Sequence, residues 1–203
     1  MPVRANLVNV KTSARLNPVP YHHGDLRRAL LDTALEAIAE HGPVAVSLRD
    51  VARRAGVSHA APTHHFRDKT GLLTAVATEG WTLLGQALNE AAADGGFVDV
   101  GVAYVLFATG HPAHFAVMRA PGLVRRDDPQ LTTAMQQAGA QLHAGASRYA
   151  GDPGDAGVTA LAAWSLVHGL SALLLEGAVT SEPGSDVAAL ARSVAERLRG
   201  ADG

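Results

Sequence analysis

The chain has 203 residues, 47% of them hydrophobic, which predicts one sizeable domain or a small domain joined to a larger one and excludes wholesale disorder. It contains no cysteine, which excludes disulfides, thiolate metal sites and a cysteine nucleophile and suits a cytoplasmic protein. No uninterrupted apolar run reaches the length of about 18 residues that a transmembrane helix needs, and residues 1–20 lack the apolar segment of a signal peptide. We expect these first 20 residues to form a flexible arm.

The formal net charge of −2 is distributed unevenly along the chain. Residues 1–70 contain 10 lysines and arginines but 6 acids, so this part carries +4 and the remainder carries −6. A basic front on an acidic body is typical of a small head that binds a polyanion. On charge alone, a chance excess of solvated arginines explains the asymmetry equally well.

Helical periodicity dominates the first part of the chain, and strand signals are nearly absent. The first predicted helix begins near Gly24–Asp25 and ends at Gly42–Pro43. Three later helices are predicted to begin after the N-caps Ser47, Ser58 and Asp68. The fourth helix is long and continues to a break at residues 94–96.

Five further helices are predicted in the second part of the chain, separated by turns rich in glycine and proline. They occupy residues 97–109, a short segment from residue 112, and residues 129–150, 158–179 and 186–200. About nine helices with no repeat define an all-α protein. We expect a flexible arm at 1–20, a helix-turn-helix domain at 21–67 and a helical body at 68–203.

The turn between the second and third helices predicts a helix-turn-helix. Gly56 allows a backbone conformation that a β-carbon would penalise, and Val57 is apolar where the turn packs on the core. In such motifs the second helix of the pair lies in the major groove, with its first residues facing base edges. Those residues are Ser58, His59, Ala60, Ala61 and Thr63.

Contacts to DNA phosphates are expected from the flanks of this motif, where basic and hydroxyl side chains cluster. The N-terminus of the helix capped by Asp68 is a further candidate. Arg27 and Arg28, with Arg4, Lys11 and Arg15 of the arm, add non-specific attraction. The candidate phosphate contacts are Arg53, Arg54, Thr63, His64, His65 and Lys69.

Residues 47–73, which read SLRDVARRAGVSHAAPTHHFRDKTGLL, resemble the signature of the TetR family of transcriptional regulators. The resemblance extends over about residues 21–84. It implies a bacterial repressor that is not an enzyme, has no cofactor, and leaves a palindromic operator when a small-molecule effector binds its second domain. The matching residues are Ser47, Val51, Ala52, Ala55, Gly56, Val57, Ser58, Phe66, Lys69, Leu72 and Leu73.

Two residues depart from the family pattern. Thr63 stands where the family usually has a tyrosine that contacts phosphate, and threonine keeps a hydroxyl without the reach of a phenol. Pro62 stands where leucine or isoleucine is common, and it removes one amide donor, which a first helical turn tolerates.

The second half contains a weaker resemblance. Trp164, His168 and Gly169 resemble the Trp-x-x-x-His-Gly element of one C-terminal subgroup of the family. With other aromatic, histidine and thioether side chains they form a candidate small-molecule site, although such residues are more often core packing. The candidate ligand contacts are Phe107, His111, His114, Met118, Met135, Trp164 and His168, with Leu142 and His143 as further candidates.

Metal sites are the competing interpretation of the histidines. His59, His64 and His65 do not converge, because adjacent residues of a helix point about 100° apart. A second set, made of His111 and His114 with His143 or His168, has no neighbouring carboxylate. We therefore predict no metal.

The last two helices predict a homodimer. Residues 158–179 are apolar on most of the helix circumference, and the final helix has one apolar stripe. Packed against their copies, they would form an intersubunit four-helix bundle, as in the resembled family, whose two-fold symmetry matches a palindromic operator. A self-contained monomer core is the alternative.

Two other classes of function compete with a regulator: a helical ligand- or metal-binding protein or enzyme that uses the histidine-rich body, and a helical scaffold for a protein partner. No GxSxG, HExxH or phosphate-loop pattern supports an enzyme. DNA and a small molecule are therefore the expected partners, and we expect no membrane contact.

Overall fold

The computed structural model describes residues 23–149, 155–179 and 186–199, and the arm predicted at 1–20 lies outside them. These residues contain nine α-helices and no strand, which confirms the all-α prediction. Short 3₁₀ turns occur at Pro121–Leu123 and Glu196–Arg199. The helices are α1 His23–His41, α2 Leu48–Arg54, α3 Ala60–Phe66, α4 Lys69–Asp94, α5 Phe97–Gly110, α6 Pro112–Met118, α7 Pro129–Tyr149, α8 Ala156–Leu175 and α9 Val187–Ala195.

Helix capping follows the sequence prediction at two of three positions. The Ser47 hydroxyl accepts the Asp50 N–H at 3.2 Å, and the Asp68 carboxylate accepts the Gly71 N–H at 2.8 Å. The prediction that Ser58 caps α3 is wrong. His59 occupies the N-cap position without a side-chain bond, because the turn extends one residue further before the helix begins.

Two hydrophobic cores hold the helices together. The first joins α1, α2 and Phe66 of α3 to the first half of α4, and it also takes in Val117 and Leu131. The second packs the later part of α4 against α5, α8 and α9 and includes Phe115. Because Phe115 and Val117 both belong to α6, this short helix packs into both cores. The boundary predicted between residues 67 and 68 stays a prediction, and apolar packing continues across it.

Helix α8 buries only one side. Val167 and Leu170 belong to the second core and Ala160 is buried, whereas Leu161 and Leu173 are 59% and 44% exposed. The helix contains no charged residue between Ala156 and Leu175. It is long and apolar enough to cross a membrane by length and composition alone, a property that core helices of globular proteins share.

Candidate nucleic-acid interface

The turn before α3 presents a row of small and polar side chains to solvent. Gly56 has φ +67°, the left-handed conformation that the sequence predicted for this turn. Pro62 and Phe66 are buried and anchor α3 on the core. The exposed side of the turn and helix is formed by Ser58, His59, Ala60, Thr63 and His64. Ala61, which was predicted to face base edges, and His65 are half-buried.

The two arginines of α2 differ in their surroundings. The Arg53 side chain is 68% exposed and donates to Asp50 at 2.5 Å. The Arg54 side chain is 22% exposed and joins Asp50 at 2.7 Å to Glu40 of α1 at 2.8 Å. Arg54 therefore ties α2 to the end of α1, and its carboxylate partners raise the pKa of its guanidinium.

Other predicted phosphate contacts lie beside the same surface. Lys69 begins α4, and its ammonium donates to the Val44 carbonyl at 2.5 Å. The rings of His64 and His65 meet edge to face with centroids 5.4 Å apart. Arg27 lies over the Phe66 ring, 5.3 Å from its centroid.

The carboxylate of Glu79 on α4 lies between α1 and α6 and contacts both helices. One oxygen of Glu79 accepts from Arg28 of α1 at 2.7 Å, and the other lies 3.2 Å from Nε2 of His114 on α6. Burial lowers the pKa of His114, partly opposed by Glu79. Gly80, next to Glu79, lets α6 approach closely, since a β-carbon there would lie 2.7 Å from Met118 Sδ.

A second polar cluster lies between α5 and α8. The indole of Trp164 donates to the buried Tyr104 hydroxyl at 3.3 Å, and the same hydroxyl is hydrogen-bonded to Nδ1 of His168 at 2.8 Å. Burial lowers the pKa of His168, with a further contribution from Arg119, and burial raises the pKa of Tyr104 to about 12.

The predicted ligand contacts are not gathered in one cavity of the described residues. Phe107 and His111 border an open groove of about 580 Å³, stacked with their ring centroids 4.9 Å apart. Met118 and Met135 line a small cavity of about 40 Å³ between α4, α6 and α7. His114 pairs with Glu79, and Trp164 and His168 belong to the tyrosine cluster.

Within residues 23–149, 155–179 and 186–199, no three histidine or acidic side chains converge into a set that could hold a metal ion. The ring centroids of His111 and His114 are 5.8 Å apart, yet Glu79 is the carboxylate that His114 contacts and it is already bonded to Arg28. The prediction of no metal remains a prediction.

The family of the protein follows from these features together with its similarity to known proteins. Residues 30–76 match the bacterial regulatory proteins of the TetR family, and residues 97–198, half of the chain, match the tetracyclin repressor-like C-terminal domain. The chain therefore belongs to the TetR family of DNA-binding transcriptional regulators. Because this family is not one of enzymes, the predictions of a transcriptional regulator and of a non-enzymatic protein are confirmed.

Individual proteins resemble this chain in sequence or in fold. The chain is 53% identical over 49 residues to the HTH-type transcriptional regulator BetI of Escherichia coli O139:H28, a match that covers 24% of this chain and 25% of BetI. A protein of unknown function from Rhodococcus sp. RHA1 is 34% identical, with a TM-score of 0.73 over 88% of this chain and 96% of its own. AibR in complex with isovaleryl coenzyme A and operator DNA shares the fold at 16% identity, with a TM-score of 0.67 over 85% and 97% of the chains.

Three residues of the site are absent from the sequence-based candidates. Glu79 and Tyr104 act through partners that lie 35 to 64 residues away along the chain. Arg125, which bonds to Asp68 at 2.6 Å, lies in a segment that the sequence predicted as a loop. No local pattern marks these contacts, although a carboxylate at a helix position facing apolar neighbours is a weak signal for Glu79.

Proposed function

We propose that the protein is a cytoplasmic repressor that binds a palindromic operator as a homodimer and leaves it when a small-molecule effector binds the body. The observation that carries this proposal is the exposed row at the start of α3, small enough for close approach to base edges and flanked by cations. AibR, which has the same fold, was crystallised with both an acyl coenzyme A and operator DNA. That pairing supports a body that binds a ligand and a head that binds DNA.

Residues of the head divide into two roles under this proposal. Ser58, His59, Ala60 and Thr63 face base edges, and Thr63 also approaches a phosphate through its hydroxyl. Arg53 contacts a phosphate because its guanidinium extends into solvent, whereas Arg54 supports that surface through α1. The remaining phosphate contacts are His64, His65 and Lys69.

Dimer formation is supported by the exposed side of α8. Leu161, Trp164 and Leu173 give this uncharged helix an apolar surface that a second copy would cover, with α9 beside it. Leu161→Glu should convert a dimer to a monomer in multi-angle light scattering. Gln136→Glu, which adds the same charge to an exposed position of α7, should not. A wild-type monomer would contradict the dimer.

The effector is proposed to contact the seven predicted side chains of the body. They lie at the groove of Phe107 and His111, at the cavity of Met118 and Met135, at the His114 contact with Glu79, and at the tyrosine cluster of Trp164 and His168. The cavity of about 40 Å³ beside the two methionines is smaller than the several hundred Å³ of typical ligand sites, so binding there requires α6 and α7 to separate. Opening of this kind would move α6, which belongs to both cores. We also propose that Trp164, His168 and Gly169 place this chain in the C-terminal subgroup that carries the Trp-x-x-x-His-Gly element.

The decisive experiment is selection of bound sequences from a random DNA pool by the purified protein, followed by fluorescence anisotropy at two salt concentrations. Enrichment of a palindrome, with binding that weakens as salt rises, is the expected result. Arg53→Ala should lower the dependence of log K on log salt by about one per contacted phosphate, and Arg54→Ala should lower affinity with a smaller change in that slope. A pool that shows no enrichment would sink the proposal.

A further inference from the structure

The turn that joins α3 to α4 has a strained backbone. Arg67 has φ +68° and ψ −54°, and the Asp68 N–H donates to the Phe66 carbonyl at 2.9 Å. This is a γ-turn, a conformation that residues with a β-carbon rarely adopt and that persists only where the surroundings hold it. The contacts around the turn therefore influence the direction in which α3 points.

Arg125 contacts this turn from the segment between α6 and α7. Its guanidinium donates to Oδ2 of Asp68 at 2.6 Å, and its backbone N–H donates to the buried Thr74 hydroxyl at 2.9 Å. Oδ1 of Asp68 accepts the Gly71 N–H at 2.8 Å and caps α4. The two oxygens of one carboxylate thus divide between the helix cap and Arg125, and these bonds lower the pKa of Asp68.

The junction has no room for an extra side chain. A β-carbon added to Gly71 would lie 1.9 Å from the Phe66 carbonyl oxygen and 2.7 Å from Nη1 of Arg125. The end of α3, the first turn of α4 and the Arg125 guanidinium therefore meet at van der Waals distance. Packing this close transmits a displacement of Arg125 to the turn instead of absorbing it.

Arg125 also follows α6 closely in the chain. Phe115 of α6 packs in the second core and Val117 in the first, and Arg125 comes eight residues after Val117. A shift of α6 can therefore reach the γ-turn through the short segment that leads to Arg125, without passing along α4. We propose that Arg125 is a positioning residue for DNA reading, which holds the γ-turn and hence the direction of α3 from within the body. This inference rests on the proposed DNA-reading function.

The test compares Arg125→Gln with Arg126→Gln. Arg126 is its exposed neighbour with the same charge, and it borders the small cavity beside Met118 and Met135. An exposed ion pair changes an equilibrium constant by up to about fivefold, and the factors of the two pairs in a dimer multiply to about 25-fold at most, so Arg125→Gln should weaken binding to the selected palindrome by roughly tenfold. Arg126→Gln should weaken it by less than about twofold, with the same salt slope as Arg125→Gln.

Asp68→Asn provides the second arm, because asparagine keeps the helix cap and loses the charge that Arg125 contacts. It should weaken DNA binding as Arg125→Gln does, and adding Arg125→Gln to it should cause little further loss. Additive losses would overturn the inference. So would a salt slope that falls by about one in Arg125→Gln alone, which would make Arg125 a direct phosphate contact.

Hydrogen–deuterium exchange separates this inference from the proposed function, since it needs no DNA. Amides of residues 66–72 should exchange several-fold faster in Arg125→Gln than in Arg126→Gln, with α8 unchanged in both. Equal exchange in the two variants would refute the role of Arg125 in holding the γ-turn, even if the wild type binds a palindrome. If the wild type selects no DNA but exchange changes as expected, the role in DNA reading is refuted, and only the contact by which Arg125 holds the γ-turn is supported.

Discussion

Two glycines of α4 are expected to respond differently to alanine substitution, Gly80 less favourably than Gly85. A β-carbon at Gly80 would lie 2.7 Å from Met118 Sδ and 3.1 Å from His114 Cβ. A β-carbon at Gly85 would meet only Ala138, at 3.7 Å or more, which is ordinary van der Waals contact. Both positions are helical, so both gain the same helix propensity when glycine becomes alanine.

The magnitudes follow from these contacts. Replacing glycine by alanine inside a helix stabilises by about 1 kcal/mol, which is the whole expected effect at Gly85. Crowding a packed contact costs about 1–3 kcal/mol, because the Met118 thioether must move and the backbone of α6 must retreat from the new methyl group. Gly80→Ala should therefore be about 1–3 kcal/mol less stable than Gly85→Ala, since the propensity term cancels between them.

Urea unfolding followed by circular dichroism measures this difference, and thermal unfolding checks it. For a chain of this size, 1 kcal/mol corresponds to about 2–4 °C in Tm. Met118→Ala should restore part of the loss in Gly80→Ala, because it removes the side chain that the new methyl group displaces. Equal stabilisation by both single substitutions would refute the close packing of α4 on α6.

Further predictions concern the polar contacts. Tyr104→Phe should lower the free energy of unfolding by about 1–2 kcal/mol and change the fluorescence of Trp164, since the hydroxyl joins the indole to the imidazole; an unchanged urea midpoint would contradict this. Burial lowers the pKa of His114, so the unfolded state binds more protons below about pH 6.5 and stability falls as the pH drops from 7.5 to 5.5. Glu79, His111 and Arg28 also influence the pKa of His114. His114→Gln should make Tm depend less on pH over this range. An unchanged dependence of Tm on pH would mean that other groups cause it. Thr63→Tyr should tighten binding to the selected DNA several-fold with little change in its salt slope, because a neutral phenol extends further toward a phosphate than the threonine hydroxyl does; unchanged affinity would place no phosphate beside residue 63.

Local signals in the sequence account for the secondary structure and the reading surface. The helix boundaries follow from hydrophobic periodicity, from the caps Ser47 and Asp68, and from glycine at 56, all of which depend on neighbours within a few residues. His59 at the start of α3 is the exception, since the length of the turn depends on how it packs. The exposed row of α3 is predictable for the same reason: burial of Phe66 fixes which side of the helix faces outward.

Contacts between distant residues required the tertiary structure. How exposed an arginine remains and which carboxylates it bonds to depend on which helix lies beside it, as the different surroundings of Arg53 and Arg54 demonstrate. The histidines of the body resembled a single site in the sequence, yet packing directs His114 to Glu79 and His168 to Tyr104.

The sequence by itself determined the class of the protein, its helices and which side of α3 is exposed, because those depend on periodicity, caps and a turn glycine. Only the tertiary structure decided that α6 joins two cores and that Arg125 bonds to Asp68 in the turn after α3. The physical reason is that hydrogen bonds and close packing act over a few ångströms in space. Such contacts leave no pattern in a chain that separates Asp68 from Arg125 by 57 positions.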